Sequence, residues 1–206
     1  MIRADESPCQ WHNNCSGKHT GFLTLAQYLG AGPEYLDLDH PVQRAVREAS
    51  ERVTDEVTSG YGIDGCSAPN FAFSLTGVAR AMAHFAASPK DSAETRLHEA
   101  MRLHPELVAG NGRACTELMR AAGGEVAIKT GAEAFYVAIL PKLKLGVALK
   151  IDDGTTRASE CAMAAILVKL GVLEPDHPAV MSVMNAPVRN VRGTQTGWVR
   201  PAPPLL

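Results

Sequence analysis

A chain of 206 residues with 46% apolar and 20% charged side chains lies close to the globular average, which excludes general disorder. Twenty Lys and Arg against 22 Asp and Glu leave a net charge of −2, and aromatic residues make up only 5%. Without a basic face or stacking platforms, no nucleic-acid partner is expected. The longest apolar run, Cys161 to Val168, is eight residues where a spanning helix needs about 20, so no membrane partner is expected either. Met1 to Pro8 lack the apolar stretch of a secretory signal. Five cysteines, an odd number, then read as reduced thiols rather than a disulfide framework, and the expected setting is cytoplasmic.

In chain order, apolar periodicity predicts helices over about 17–29, 41–57, 74–87, 91–103, 114–122, 156–170 and 178–184. The second opens on Pro41, suited to a first helical turn, and carries Val42, Ala45, Val46, Ala49 and Val53 on one stripe. The third, with Leu75, Val78, Ala79, Met82, Ala83 and Phe85, is apolar on most sides and is expected to be deeply buried. Short β-rich runs at 125–129, 134–140 and 146–151 predict a meander, and a last hairpin is expected around 188–190 and 196–200, turning at Arg192-Gly193. Helices followed by a meander, a helix and further strands point to an α+β fold on an antiparallel sheet. Its helical part would cover about 15–122 and its sheet-forming part about 124–206.

Polar residues crowd first at His12-Asn13-Asn14-Cys15-Ser16-Gly17-Lys18-His19, just before the first helical pattern. Cys15 and Lys18 are three apart at a helix start and so share a face. A helix N-terminus favours a thiolate, which is both nucleophile and soft metal ligand. The loop Gly60-Tyr61-Gly62-Ile63-Asp64-Gly65-Cys66-Ser67-Ala68-Pro69-Asn70 comes next. Its Cys66 could complete a site with Cys15, with Asp64 as a supporting acceptor, although two cysteines 51 apart fall well short of a zinc-finger spacing. Gly110-Asn111-Gly112-Arg113 precedes a helix whose N-terminus could hold an anion, but no Gly-Lys-Ser/Thr follows, so it is not a P-loop. Lys129-Thr130-Gly131 at a strand end is the tripeptide that faces the nucleophile in penicillin-recognising serine hydrolases.

Four segments in order carry a resemblance: Asn13 to His19, Asp64 to Pro69, His104 to Gly110, and Lys129-Thr130-Gly131-Ala132-Glu133. Together they resemble the type II L-asparaginase family of rhizobial type, from about Trp11 to the C-terminus. The resemblance implies a β-lactamase/glutaminase-like fold and hydrolysis of L-asparagine to L-aspartate and ammonia. It implies zinc held by Cys15, Lys18 and Cys66, with His19 and Asp64 nearby. Lys129 would be catalytic, Thr130 and Gly131 substrate-binding, and the full-length form a homodimer.

A lysine ligand is demanding, because deprotonating a free Lys at pH 7 costs roughly 4–5 kcal/mol. Structural zinc in finger peptides contributes roughly 10–16 kcal/mol, enough to offset this. Two departures from the family stand out. Cys115 occupies a place where members usually have Asp, and no Ser-x-x-Lys precedes Cys15. The expectation is therefore the C-terminal two-thirds of an asparaginase-type amidohydrolase, its N-terminal part and nucleophilic serine missing. The alternatives are a non-catalytic zinc-binding module of the same descent and, ranked last, a Cys15 thiol nucleophile with Lys18 as base.

Overall fold

The structure is a computed structural model that describes residues 2–203 and 205, with the backbone alone at residue 2. It is α+β, and the chain divides into two compact units, Met1–Ser74 and Leu75–Leu206.

The first unit contains α1 (Ser16–Tyr28), α2 (Pro41–Thr54) and a hairpin of β1 (Tyr61–Ile63) and β2 (Pro69–Phe71). The His40 ring caps α2 by accepting a hydrogen bond from the Val42 amide at 3.1 Å, and Pro41 fills the first helical position. The helix stops three residues before its expected end, because Asp55 turns left-handed at φ 55° and closes it. The hairpin was not foreseen. Three-residue strands containing Gly62 and Pro69 give too short a pattern to separate from a loop.

The second unit contains α3 (Leu75–Ala87), α4 (Ala93–Leu103), α5 (Pro105–Ala109), α6 (Ala114–Ala121), α7 (Thr156–Lys169) and α8 (Pro178–Met184). Between them run β3 (Ala127–Thr130), β4 (Phe135–Leu140) and β5 (Leu145–Lys150), a meander with β3 at one edge. The last hairpin pairs β6 (Ala186–Arg189) with β7 (Gln195–Val199) as a separate sheet. The α+β class with antiparallel strands is as expected, and the described strands form three small antiparallel sheets.

Alternation along the meander decides its packing. Ile128, Tyr136, Ala138 and Leu140 join Leu118 and Met119 of α6 and Met163 and Leu167 of α7 in the main core. Ala127 and Ile139 point the other way, toward Met82, Phe85 and Ala86 of α3 and Met101 of α4. The sheet is therefore covered on both faces by helices. The expectation that α3 is deeply buried is also corrected, since only Gly77, Ala81 and Ala86 of it are buried and Leu75 is exposed. Its small side chains serve close approach to the sheet rather than all-round burial.

That approach is closest at Gly146, where an added Cβ would overlap the Ala79 carbonyl and the Ala83 amide of α3. Backbone cannot yield as a side-chain tip does. We expect Gly146→Ala to destabilise the protein by about 3 kcal/mol, the upper end for overpacking. In thermal denaturation that is a fall of roughly 6–12 °C. An unchanged melting temperature would mean that α3 does not lie against β5 at this distance.

Candidate functional site

In the first unit, α1 and the β1–β2 loop assemble a compact polar group. The Asn13 side chain accepts a hydrogen bond from the Cys15 amide at 2.8 Å, forming a turn that places Cys15 at the N-cap of α1. One turn on, the Lys18 Nζ donates to Asp64 Oδ2 and to Cys66 Sγ, each at 3.0 Å. Asp64 holds the loop from its other oxygen, which accepts from the Cys66 amide at 2.7 Å, while Ser67 takes a left-handed φ of 70° to turn the chain back. The Cys15 thiol lies close enough to Cys66 for the two ionisations to oppose each other. Four of the residues singled out in the sequence, Cys15, Lys18, Asp64 and Cys66, are thus brought together. His19 turns aside to hydrogen-bond the Tyr35 hydroxyl at 2.8 Å, its ring edge-on to Phe22 and Tyr35.

Charge in this group is strongly coupled. Burial pushes the Asp64 carboxyl up, but hydrogen bonds from the Cys66 thiol and amide and from Lys18 outweigh it and hold it at about 2. Burial pulls the Lys18 ammonium down, yet Cys66 and Asp64 outweigh that and leave it raised. Burial also raises the Cys15 thiol, against the opposing pull of Lys18.

Among the described residues no three His, Cys, Asp or Glu side chains are grouped to hold a metal ion. Two soft thiols fit zinc, and the Asp64 carboxylate and the Lys18 amine are the donors beside them. Lys18 and Cys15, both raised, start protonated, so either can bind a metal only by expelling a proton.

The Asp64 shift has a consequence for stability. The folded-state value of about 2 lies below the ordinary 3.8, so its stabilisation is complete above pH 4 and fades as pH falls toward 2. The carboxylate is about a third exposed, and after solvent screening the contribution is about 1 kcal/mol or less. We expect acid unfolding of the metal-free protein to lose a step between pH 4 and 2 in Asp64→Asn. Identical acid profiles for the two proteins would contradict the carboxylate's role.

In the second unit, Lys129 and Thr130 end β3. The exposed Lys129 ammonium bonds the Thr130 carbonyl oxygen. The Thr130 amide donates to the buried Cys115 Sγ at 3.3 Å, and the same sulfur lies 3.0 Å from the Tyr136 hydroxyl. Burial, reinforced by Cys115, drives that phenol far above its ordinary range, so it stays neutral. Gly131 packs on the Phe135 ring, where an added Cβ would sit 3.1 Å from Cδ1, and the following Glu133 and Ala134 both adopt left-handed φ, 52° and 58°. Such consecutive strained residues beside a loop of small and polar side chains are common at binding sites. Sequence reading noted Cys115 only as a departure and missed its contacts with Thr130 and Tyr136. No local pattern links residues 15 and 21 positions apart in chain.

A family model for L-asparaginase II matches residues 1–201. The chain belongs to that family. At the level of the family, the L-asparaginase II chain is an asparaginase-like amidohydrolase with a small-molecule substrate. No curated protein matches it. Among the described residues of this family member, no helix is long and apolar enough to cross a membrane.

Proposed function

We propose that this chain is an asparaginase-type amidohydrolase polypeptide acting on L-asparagine, with a β-lactamase/glutaminase-like fold, that relies on a serine nucleophile from outside these residues. The observation that carries the reading is the family match over 1–201, together with the absence of any Ser-x-x-Lys among the 206 residues. A three-stranded antiparallel meander with helices on both faces and Lys129-Thr130-Gly131 at the end of its edge strand supports the fold.

In this reading Lys129 supplies positive charge where the amide substrate's developing negative charge needs it. Thr130 and Gly131 line the substrate's path. Cys15, Lys18 and Cys66 would hold zinc, and Asp64 would orient Lys18 and Cys66. Bound there, zinc would supply cross-linking of α1 to the hairpin loop and a fixed positive charge. Two active-site copies in a cytoplasmic homodimer complete the proposal.

The second reading, a non-catalytic zinc-binding module, is favoured by one observation: the Lys18–Asp64–Cys66 group is complete within these residues, whereas the nucleophile is not. A chimera separates the two. The chain fused behind the Ser-x-x-Lys-bearing N-terminal part of another family member should hydrolyse L-asparagine, and Lys129→Ala should abolish this without changing zinc content. A folded, zinc-loaded chimera with no turnover would leave the module reading in place.

A further inference from the structure

The starts of α6 and α7, together with α8, border an open cavity of about 470 Å³ lined by Gly112, Arg113, Glu117, Thr156, Glu160 and Ser182 among others. Its two acidic side chains differ in status. Glu117 is committed, because its Oε1 accepts from the Gly112 amide and from Arg120, both at 3.3 Å. Glu160 is not. Among the described residues neither its carboxylate nor the Arg113 guanidinium has a hydrogen-bond or ion-pair partner, although both line the same cavity.

Arg113 acts on Glu160 electrostatically across this space but makes no direct ion pair with it, which leaves hydrogen-bonding capacity on both for a ligand that brings both complements. The loop before α6 is built to hold Arg113 there. Thr116 Oγ1 ties the Gly110 carbonyl at 2.6 Å and the Pro105 carbonyl at 3.1 Å, and Gly110 and Gly112 take left-handed φ of 91° and 72°. Arg113 itself caps α6 without a side-chain bond to its first amides, which stay available beside the guanidinium. Glu160 is half-buried, so its charge is poorly solvated and gains from a bound cation. Two residues beyond Arg113, Cys115 places its sulfur against the Tyr136 hydroxyl and receives the Thr130 amide. The cavity therefore lies close to the end of β3.

We propose that this cavity binds the head group of an α-amino acid as a zwitterion, the carboxylate on Arg113 and the ammonium on Glu160. Choosing L-asparagine as the ligand rests on the amidohydrolase reading; the zwitterion requirement does not. Arg113 offers a planar fork suited to a carboxylate, and Glu160 accepts from the ammonium.

The test is calorimetric titration of the 206-residue chain with three probes: L-asparagine, succinamate without the ammonium, and 3-aminopropanamide without the carboxylate. L-Asparagine should bind about 10–100-fold more tightly than either analogue. Arg113→Gln should weaken L-asparagine by the same factor and erase discrimination against 3-aminopropanamide only. Glu160→Gln should erase discrimination against succinamate only, circular dichroism staying unchanged in both. Equal binding of the three probes, no binding at all, or selectivity untouched by the substitutions would overturn the proposal. Selectivity untouched while the chimera still turns over would overturn this site and leave the amidohydrolase reading standing. Head-group-selective binding with an inactive chimera would do the reverse.

Discussion

Purified chain 1–206 is expected to release ammonia from L-asparagine at a rate about 10⁶ below an ordinary member of its family. In serine hydrolases the nucleophile acts as a unit with its base, and removing it alone costs about 10⁶ in turnover, leaving only what binding and charge supply. No Ser-x-x-Lys is present among the 206 residues. Cys15 does not replace it: its thiol is raised by burial and by the neighbouring Cys66, conditions that lower the thiolate fraction a nucleophile needs. An ammonia assay with the purified chain checks this directly. Turnover at an ordinary enzymatic rate, abolished by Cys15→Ser, would instead establish the thiol as nucleophile with Lys18 as its base.

The second large effect is on metal affinity. Replacing Cys15 or Cys66 by Ser removes a soft ligand and should weaken zinc by well over the roughly 10–100-fold typical of losing a supporting partner. Asp64→Asn, which loses its charge toward Lys18 and Cys66, belongs in that smaller range. Lys18 distinguishes a ligand from a bystander. Arginine stays protonated at any working pH, so Lys18→Arg leaves a fixed cation beside the metal and should weaken binding more than Lys18→Ala. Each proton expelled on binding makes the apparent affinity fall about tenfold per pH unit as pH drops below the group's own value. With zinc at about 1,000 times its dissociation constant, the native state should gain about 4 kcal/mol. Competition with a chromophoric chelator measures all five variants. Equal affinity in Lys18→Arg and the unsubstituted chain would remove Lys18 from the ligand set.

How much of this was legible in the sequence depended on whether the signal was local. The Pro41 start and apolar stripe of α2 located that helix, because capping and periodicity act within a few residues. The β1–β2 hairpin escaped because its strands are three residues long, yet it is what carries Asp64 and Cys66 toward α1. The burial of α3 was overestimated because its small residues answer to Gly146, about 60 positions on, and not to a core on every side. In the candidate site, Cys15 and Lys18 stood out by their spacing at a helix start. Their meeting with residues 64 and 66 was offered as one option by the loop's composition and specified by the family resemblance, since nothing local encodes a contact 48 positions apart. Arg113 and Glu160 are joined only through tertiary structure, and Cys115 shows its part only when Thr130 and Tyr136 are set beside it.

The most direct measurement of the central claim is X-ray absorption at the zinc edge of the zinc-loaded chain. Two sulfur neighbours near 2.3 Å and nitrogen or oxygen neighbours near 2.0–2.1 Å are predicted. Lys18→Ala should alter the light-atom shell alone, and Cys66→Ser should remove one sulfur. A shell without sulfur, or one of three or four sulfurs unaffected by Lys18→Ala, would contradict the assignment of Cys15, Lys18 and Cys66 to one metal centre.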